Sequence, residues 1–149
     1  MIVRKAERYD LPGVLEMIED FQDEGLEEYA LGHTVDSSKA AATMFIQHQI
    51  GVVAIKDDKV IGCLGGFITP FYLNEKAIVF QEILWYVRKS ERRTGAGIKM
   101  LYKVMEVAKD QGATHIVMAH TGTVLSEKIS RIYERLGFKV LETQYIRGL

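Results

Sequence analysis

The 149 residues are 48% apolar and 26% charged with a formal net charge of -1, the composition of a soluble globular domain near the commonest domain size. That balance gives no overall pull toward nucleic acid or an anionic membrane, so an anionic ligand must be held by local features. No apolar run approaches the ~20 residues of a membrane span, and Met1-Ile2-Val3-Arg4-Lys5 leads into acidic and polar residues rather than a secretory signal, so the expectation is one cytoplasmic domain over residues 1–149.

Ile2 to Ala6 reads as a first strand. Asp10 is placed to cap a helix with Pro12 in its first turn, and Leu11, Val14, Leu15, Ile18 and Phe21 recur at helical spacing. Asp23 to Val35 is a loop or a broken helix, and Ser38 to His48 forms a second helix. Val52–Ile55 and Val60–Leu64 flank the turn-like Lys56–Lys59 and make a hairpin. Cys63, the one cysteine, allows no internal disulfide and sits in an apolar run as a buried small hydrophobe. Ala77 to Val87 is rich in β-branched and aromatic residues, a long strand. Gly97 to Lys109 is an amphipathic helix ended by Gly112. His115 to Ala119 is a short apolar strand of the buried type, and Ser126 to Leu136 a helix closed by Gly137 in the left-handed cap. Lys139 to Tyr145 reads as a last strand. The order β-α-α-β-β-β-α-β-α-β implies a mixed sheet, with an antiparallel hairpin followed by parallel pairing in the second half.

The most informative segment is Arg92-Arg93-Thr94-Gly95-Ala96-Gly97, which joins a strand to a helix. The first N–H groups of a helix lack intrahelical partners, and the helix dipole adds positive charge there. Glycines let the backbone approach an anion closely, and two arginines add charge beside it, so the segment can cradle phosphate. It is not a P-loop, because Gly97 is followed by Ile98-Lys99-Met100. Met100 also stands where a dinucleotide fingerprint needs glycine or alanine. A bare Arg-x-x-Gly-x-Gly equally fits a plain strand-to-helix turn with solvated arginines.

The surroundings decide between these. A strand ending in Val87, then Arg92, Gly95 and Gly97 opening an amphipathic helix, resembles motif A of the GNAT (GCN5-related N-acetyltransferase) family, with Lys89 replacing a frequent proline. Tyr133-Glu134-Arg135-Leu136-Gly137-Phe138 is similar to the family's Tyr-Glu-Lys-Leu-Gly-Phe segment, and Ile2 to Val14 looks like its opening strand and helix. Glu82 to Val87 looks like the strand of phage-encoded members. The resemblance implies the α/β (α+β) GNAT fold, a mixed central sheet of about 6–7 strands flanked by about 4 helices.

It also implies an acetyl-CoA-dependent N-acetyltransferase whose acceptor is an amine on a small molecule or protein, with no metal, no nucleic-acid or membrane partner, and a homodimer in many relatives. Carried over by position, the N–H groups of Arg93, Thr94, Gly95, Ala96, Gly97 and Ile98 bind the CoA pyrophosphate, and Arg92 and Arg93 reach its 3′-phosphate. Trp85, Tyr86 and Val87 line the pantetheine arm, and the Val87 N–H polarises the acetyl carbonyl. Tyr133 is the general acid and Glu82 the candidate base. Ser126 stands where many relatives carry an arm-contacting Asn, and Ile129 where many carry Ala. The acidic run Glu16 to Glu28 falls where the family's acceptor loop sits, and His120 follows the apolar strand near the site. The four histidines and single cysteine show no metal spacing. Two other readings remain: a degenerate CoA-binding sensor or interaction module of this fold, and an unrelated α/β interaction domain.

Overall fold

The computed structural model describes residues 1–149. Five strands form one sheet in the order β1-β2-β3-β4-β5: β1 (Ile2–Lys5), β2 (Ile50–Lys56), β3 (Lys59–Phe71), β4 (Asn74–Val87) and β5 (His115–Val117). The first three pairings are antiparallel, and β4 with β5 is parallel. Four helices flank the sheet: α1 (Leu11–Phe21), α2 (Val35–Gln47), α3 (Ala96–Asp110) and α4 (Ser126–Arg135).

The sheet carries a core on each face. On one, Met100, Leu101, Val104 and Ala108 of α3 pack on Val52, Ala54, Leu64 and Phe80, with Ile132 and Leu136 of the α4 region at the edge. On the other, Val14, Met17 and Ile18 of α1 and Phe45 of α2 cover Val53, Val60, Cys63, Leu84 and Tyr86. Each fully buried side chain of this size contributes about 1.5–3 kcal/mol of transfer free energy. The two sets interleave along β2 and β3 because successive residues of a strand face opposite sides.

Several expectations are corrected. The sheet has five strands rather than 6–7, because Lys139 to Tyr145 makes no strand: residues 138–149 carry no regular structure and pair with nothing in the sheet. Consequently β5 is an edge strand, shorter and less buried than its apolar sequence implied. Asp10 heads α1 without capping it. Its backbone is already helical, and its buried carboxylate accepts from the Arg4 guanidinium (2.7 and 2.9 Å) and from the Glu7 N–H (2.7 Å), tying α1 to β1. Helix α2 begins earlier than Ser38, capped by Thr34, whose hydroxyl oxygen accepts from the Ser37 N–H (3.1 Å).

Candidate active site

The site is set by where β4 stops pairing with β5. The two strands are in register only at Val79–His115, Phe80–Ile116 and Gln81–Val117, and Thr114 locks the lower end by exchanging backbone and side-chain hydrogen bonds with Ile78. Above Gln81 the backbones part. The Arg88 N–H donates to the Ile61 carbonyl of β3 (2.9 Å). Val87, one residue earlier, therefore directs its own N–H to the opposite edge, into the gap beside β5.

A β-bulge lies at the same level. Gly65 faces Leu84 and Gly66 faces Glu82, so Ile83 is the extra residue and is exposed. Phe80 below the bulge and Trp85 and Val87 above it all pack toward α3, while Leu84 and Tyr86 turn toward α1. The bulge thus reverses the in-out parity of the strand and puts Glu82 and Trp85 on the same face. Gly66 is required there, since a Cβ would overlap the Gln81 carbonyl.

Glu82 is 9% exposed and spans the gap, its Oε2 accepting from the Ala119 N–H (3.0 Å). Burial pushes its carboxyl up to about 7, a rise that the Ala119 hydrogen bond only partly offsets. Tyr133 of α4 approaches from the other side, and its hydroxyl donates to the Ala119 carbonyl (2.6 Å). Its ring stands among Trp85 (centroids 5.9 Å), Phe138 (5.2 Å) and His120 (6.3 Å). Burial, with the Glu82 charge second, raises the phenol above its ordinary range and keeps it protonated. A carboxylate near neutrality and a protonated phenol therefore converge on the two backbone groups of one residue, Ala119. A carboxyl titrating near 7 suits a general base, and a protonated hydroxyl can serve as a proton donor.

The glycine turn sits above this pair. Gly95 has φ 78°, a left-handed value that favours glycine, and Gly97 lies against the Trp85 ring. The turn is self-bonded in part: the Thr94 N–H donates to the Glu91 carbonyl (3.1 Å), as does the Thr94 hydroxyl (2.6 Å), and the Ala96 N–H reaches Thr94 Oγ1 at 3.4 Å. The N–H groups of Arg93, Gly95, Gly97 and Ile98 make no backbone hydrogen bond. With the amino-terminal dipole of the 15-residue α3 they form an anion cradle.

Arg92 does not point into the cradle. Its Nε donates to the Val87 carbonyl (3.0 Å), and its two terminal nitrogens grip Glu24 (2.6 and 2.5 Å). The pair holds the Glu24 carboxyl below its usual range. Tyr86, on the α1 face, donates to the same carboxylate (2.8 Å) and lies under the guanidinium. Arg93 is exposed. Ser126, the first residue of α4, opens on a separate cleft along that helix with Thr123, Lys128 and Arg131.

The structure thus brings together Glu82, Trp85, Val87, Gly97 and Tyr133. It turns Tyr86 and Arg92 toward Glu24 and leaves Ser126 apart. Glu24 stood in the sequence only as one of many acidic residues. It lies in a wide helical turn (Gln22–Leu26) that extends α1, and the loop is tied to the β5–α4 connection by Thr123, whose hydroxyl donates to the Gly25 carbonyl (2.9 Å). Ala119 had no signal at all, since it acts through its backbone. No group of His, Cys, Asp and Glu side chains is placed to hold a metal ion, and no helix is long and apolar enough to cross a membrane.

The model of the Acetyltransferase (GNAT) family matches residues 14–138. A search of curated protein sequences returns no significant match. Among solved structures, an acetyltransferase of Trypanosoma brucei is similar with 20% identity, 99% of each chain covered and a TM-score of 0.73. A transcriptional regulator from Bacillus halodurans C-125 gives 20%, 99% of each chain and 0.76. AAC(6′)-Iy in complex with the bisubstrate analogue CoA-S-monomethyl-acetylneamine gives 16%, 99% of this chain, 97% of the other and 0.74.

Proposed function

This chain belongs to the GNAT acetyltransferase family, and on that premise we propose that residues 1–149 act as one N-acetyltransferase domain, moving an acetyl group from acetyl-CoA to a primary amine by direct attack in a ternary complex. The observation that carries the proposal is the convergence of Glu82 and Tyr133 on Ala119 in the β4–β5 gap, beneath a glycine turn with free N–H groups. Acetyl-CoA supplies the acyl group as a thioester, which is activated toward amines.

The N–H groups of Arg93, Gly95, Gly97 and Ile98 hold the pyrophosphate at the head of α3, Thr94 and Ala96 shape the turn around it, and exposed Arg93 meets the 3′-phosphate. The edge of β4 from Trp85 to Val87 receives the pantetheine arm, and the Val87 N–H donates to the carbonyl oxygen where negative charge develops. Glu82 takes the proton that the acceptor's ammonium must lose before its nitrogen is a nucleophile. As the new C–N bond forms and the C–S bond breaks, the Tyr133 hydroxyl gives its proton to the departing sulfur, the proton still on the acylated nitrogen passes to the tyrosyl oxygen, and Glu82 releases the proton it took to solvent. Glu24, held by Arg92 and Tyr86, keeps the acceptor loop against the cofactor turn. A bisubstrate analogue bound by a protein of the same fold supports a cationic, amine-bearing acceptor. The single buried Cys63 and the absence of disulfides suit a cytoplasmic location.

The experiment is thiol release from acetyl-CoA against a panel of polyamines, aminoglycosides, amino acids and peptide N-termini. Turnover with at least one acceptor is expected. Thermal stabilisation by acetyl-CoA of about 2.7 kcal/mol at a hundredfold excess over Kd, without turnover on any amine, would replace the enzyme by a CoA-binding sensor of this fold. No stabilisation at millimolar acetyl-CoA overturns both.

A further inference from the structure

The α1 face of the sheet is only partly covered. The core under α1 and α2 ends at Cys63 on β3 and Leu84 on β4, with the Phe45 ring against Gly65. Beyond it β3 and β4 continue as paired strands, and β5 joins them. Ile68, Phe80, Ile116 and Met118 pack on the α3 core, so by alternation their neighbours face the other way. The register sets Phe67, Gln81 and Val117 side by side across three strands, with Thr69, Val79 and His115 in the next row. Ile83, two residues on from Gln81, stands above them. None of these belongs to either core, and Phe67 and Ile83 are 40 and 52% exposed. An open apolar face beside a reactive carboxyl asks for an occupant.

The face adjoins the reacting groups. Glu82 follows Gln81 directly, and Ala119 lies two residues beyond Val117. On the α3 side the gap between them is lined by Trp85, Tyr133 and the glycine turn. On the α1 side its upper end is bridged by the α1–α2 loop. There the Thr123 hydroxyl donates to the Gly25 carbonyl (2.9 Å), and the Tyr29 hydroxyl lies against Gly122. The approach left to an acceptor runs over the Phe67–Gln81–Val117 row.

The charge along this approach selects the acceptor. The two rows and Ile83 hold no carboxylate, and their one titratable side chain, His115, sits at the outer edge against Thr114 (2.8 Å). Glu24 is already gripped by Arg92 and Tyr86. Asp23 and Glu27 line a cleft of about 390 Å³ within the loop itself, which shares no residue with the gap. A second ammonium carried over the face would lose water and find no partner, whereas an apolar body would cover Phe67 and Ile83 and lie flat on the phenyl ring. On the reading that this gap is where the acetyl group is transferred, we propose that the acceptor is a primary amine with one positive charge on an apolar or aromatic body. Its nitrogen meets Glu82 and its body rests on the Phe67–Ile83 face, so that these two side chains set the preference against polycations.

Steady-state thiol release with phenethylamine, hexylamine, spermidine and kanamycin tests this, with acetyl-CoA binding followed in parallel by thermal shift. The kcat/KM of the two apolar amines should exceed that of the two polycations by about tenfold or more. Phe67→Ser and Ile83→Ser, both at exposed positions, should each raise the KM for phenethylamine by about tenfold and change kcat far less. Phe67→Glu should shift the preference toward spermidine by giving a second ammonium its partner. A wild type that prefers the polycations overturns the proposal and leaves the acetyltransferase reading standing, and so do variants that use phenethylamine as the wild type does. Stabilisation by acetyl-CoA without turnover on any amine, or no stabilisation at all, overturns that reading and the proposal with it.

Discussion

Glu82→Gln is the most discriminating substitution, because one side chain carries a stability signature and a kinetic one of opposite sign. Glu82 is nearly enclosed, with the Ala119 N–H as its recorded hydrogen-bond partner, and burial lifts its carboxyl from 4.5 to about 7. Below 4.5 both the folded and the unfolded chain hold the proton, and nothing is lost. Between 4.5 and 7 the unfolded chain releases it while the fold retains it, so stability falls as pH rises, and above 7 the fold carries the whole cost of a buried carboxylate. The gap corresponds to about 3 kcal/mol as a ceiling.

Gln keeps the acceptor oxygen for Ala119 and removes the charge. At pH 8 Glu82→Gln should therefore be more stable than the wild type by about 1–3 kcal/mol, with the amide's extra N–H groups accounting for the lower end. At about 2–4 °C per kcal/mol for a chain of this size, calorimetry at pH 5 and pH 8 resolves the difference. Activity should move the other way, kcat/KM losing about 10²–10⁴-fold together with the limb of its pH profile near 7. A variant that is less stable than wild type at pH 8, or equally displaced at both pH values, refutes the burial argument. A variant that keeps its rate and its pH profile refutes the base.

Tyr133→Phe should lower kcat by a comparable factor of about 10²–10⁴ and leave the calorimetric affinity for CoA within about twofold; equal losses in both would make the tyrosine structural. Gly95→Ala meets no atom within 4 Å, so its cost is the left-handed backbone alone, about 1–2 kcal/mol in chemical denaturation, whereas Gly95→Asp should abolish acetyl-CoA binding through its charge, and retained binding would refute the cradle. Gly66→Ala drives a methyl into the Gln81 carbonyl and should destabilise by about 1–3 kcal/mol; Gly97→Ala, in ordinary contact with Trp85 at 3.5 Å, should leave stability near that of the wild type. A double-mutant cycle on Arg92 and Glu24 should return a coupling of about 0.5–3 kcal/mol, and additivity would mean that the bidentate pair does not tether the acceptor loop.

The helices and the strand-to-helix turn were legible because their signals are local. Apolar spacing of 3.6 in α1 and α3, glycines at positive φ ending α3 and α4, and glycines at the phosphate turn each depend on neighbours within one turn of chain. Lys139 to Tyr145 misled for the complementary reason. Its pattern is a strand's, but a strand needs a partner, and alternation along one segment carries no information about whether an edge lies within reach. The same blindness applied to His115–Val117, where an all-apolar run suggested burial on both sides and the sheet stopped there instead.

The face shared by Glu82 and Trp85 shows the limit most sharply. Glu82 and Trp85 are three residues apart, and strict alternation would send them to opposite faces of β4. They share one because Ile83 is inserted opposite Gly65 and Gly66. Nothing in Glu82–Val87 alone announces that insertion; the clue lies on the neighbouring strand, in two adjacent glycines whose missing side chains admit the Gln81 carbonyl and the Phe45 ring. The bulge also coincides with the level at which β4 and β5 part. A single extra residue therefore accounts for the parity that aims Glu82 at Ala119 and Trp85 at Tyr133. Deleting Ile83 should let Glu82, Leu84 and Trp85 alternate regularly, so Trp85 stays on the Glu82 face and Leu84 on the other while the bulge is removed. The expected outcome is a folded chain that keeps both cores and the Glu82–Trp85 face, and a variant that loses either core refutes this reading of the bulge.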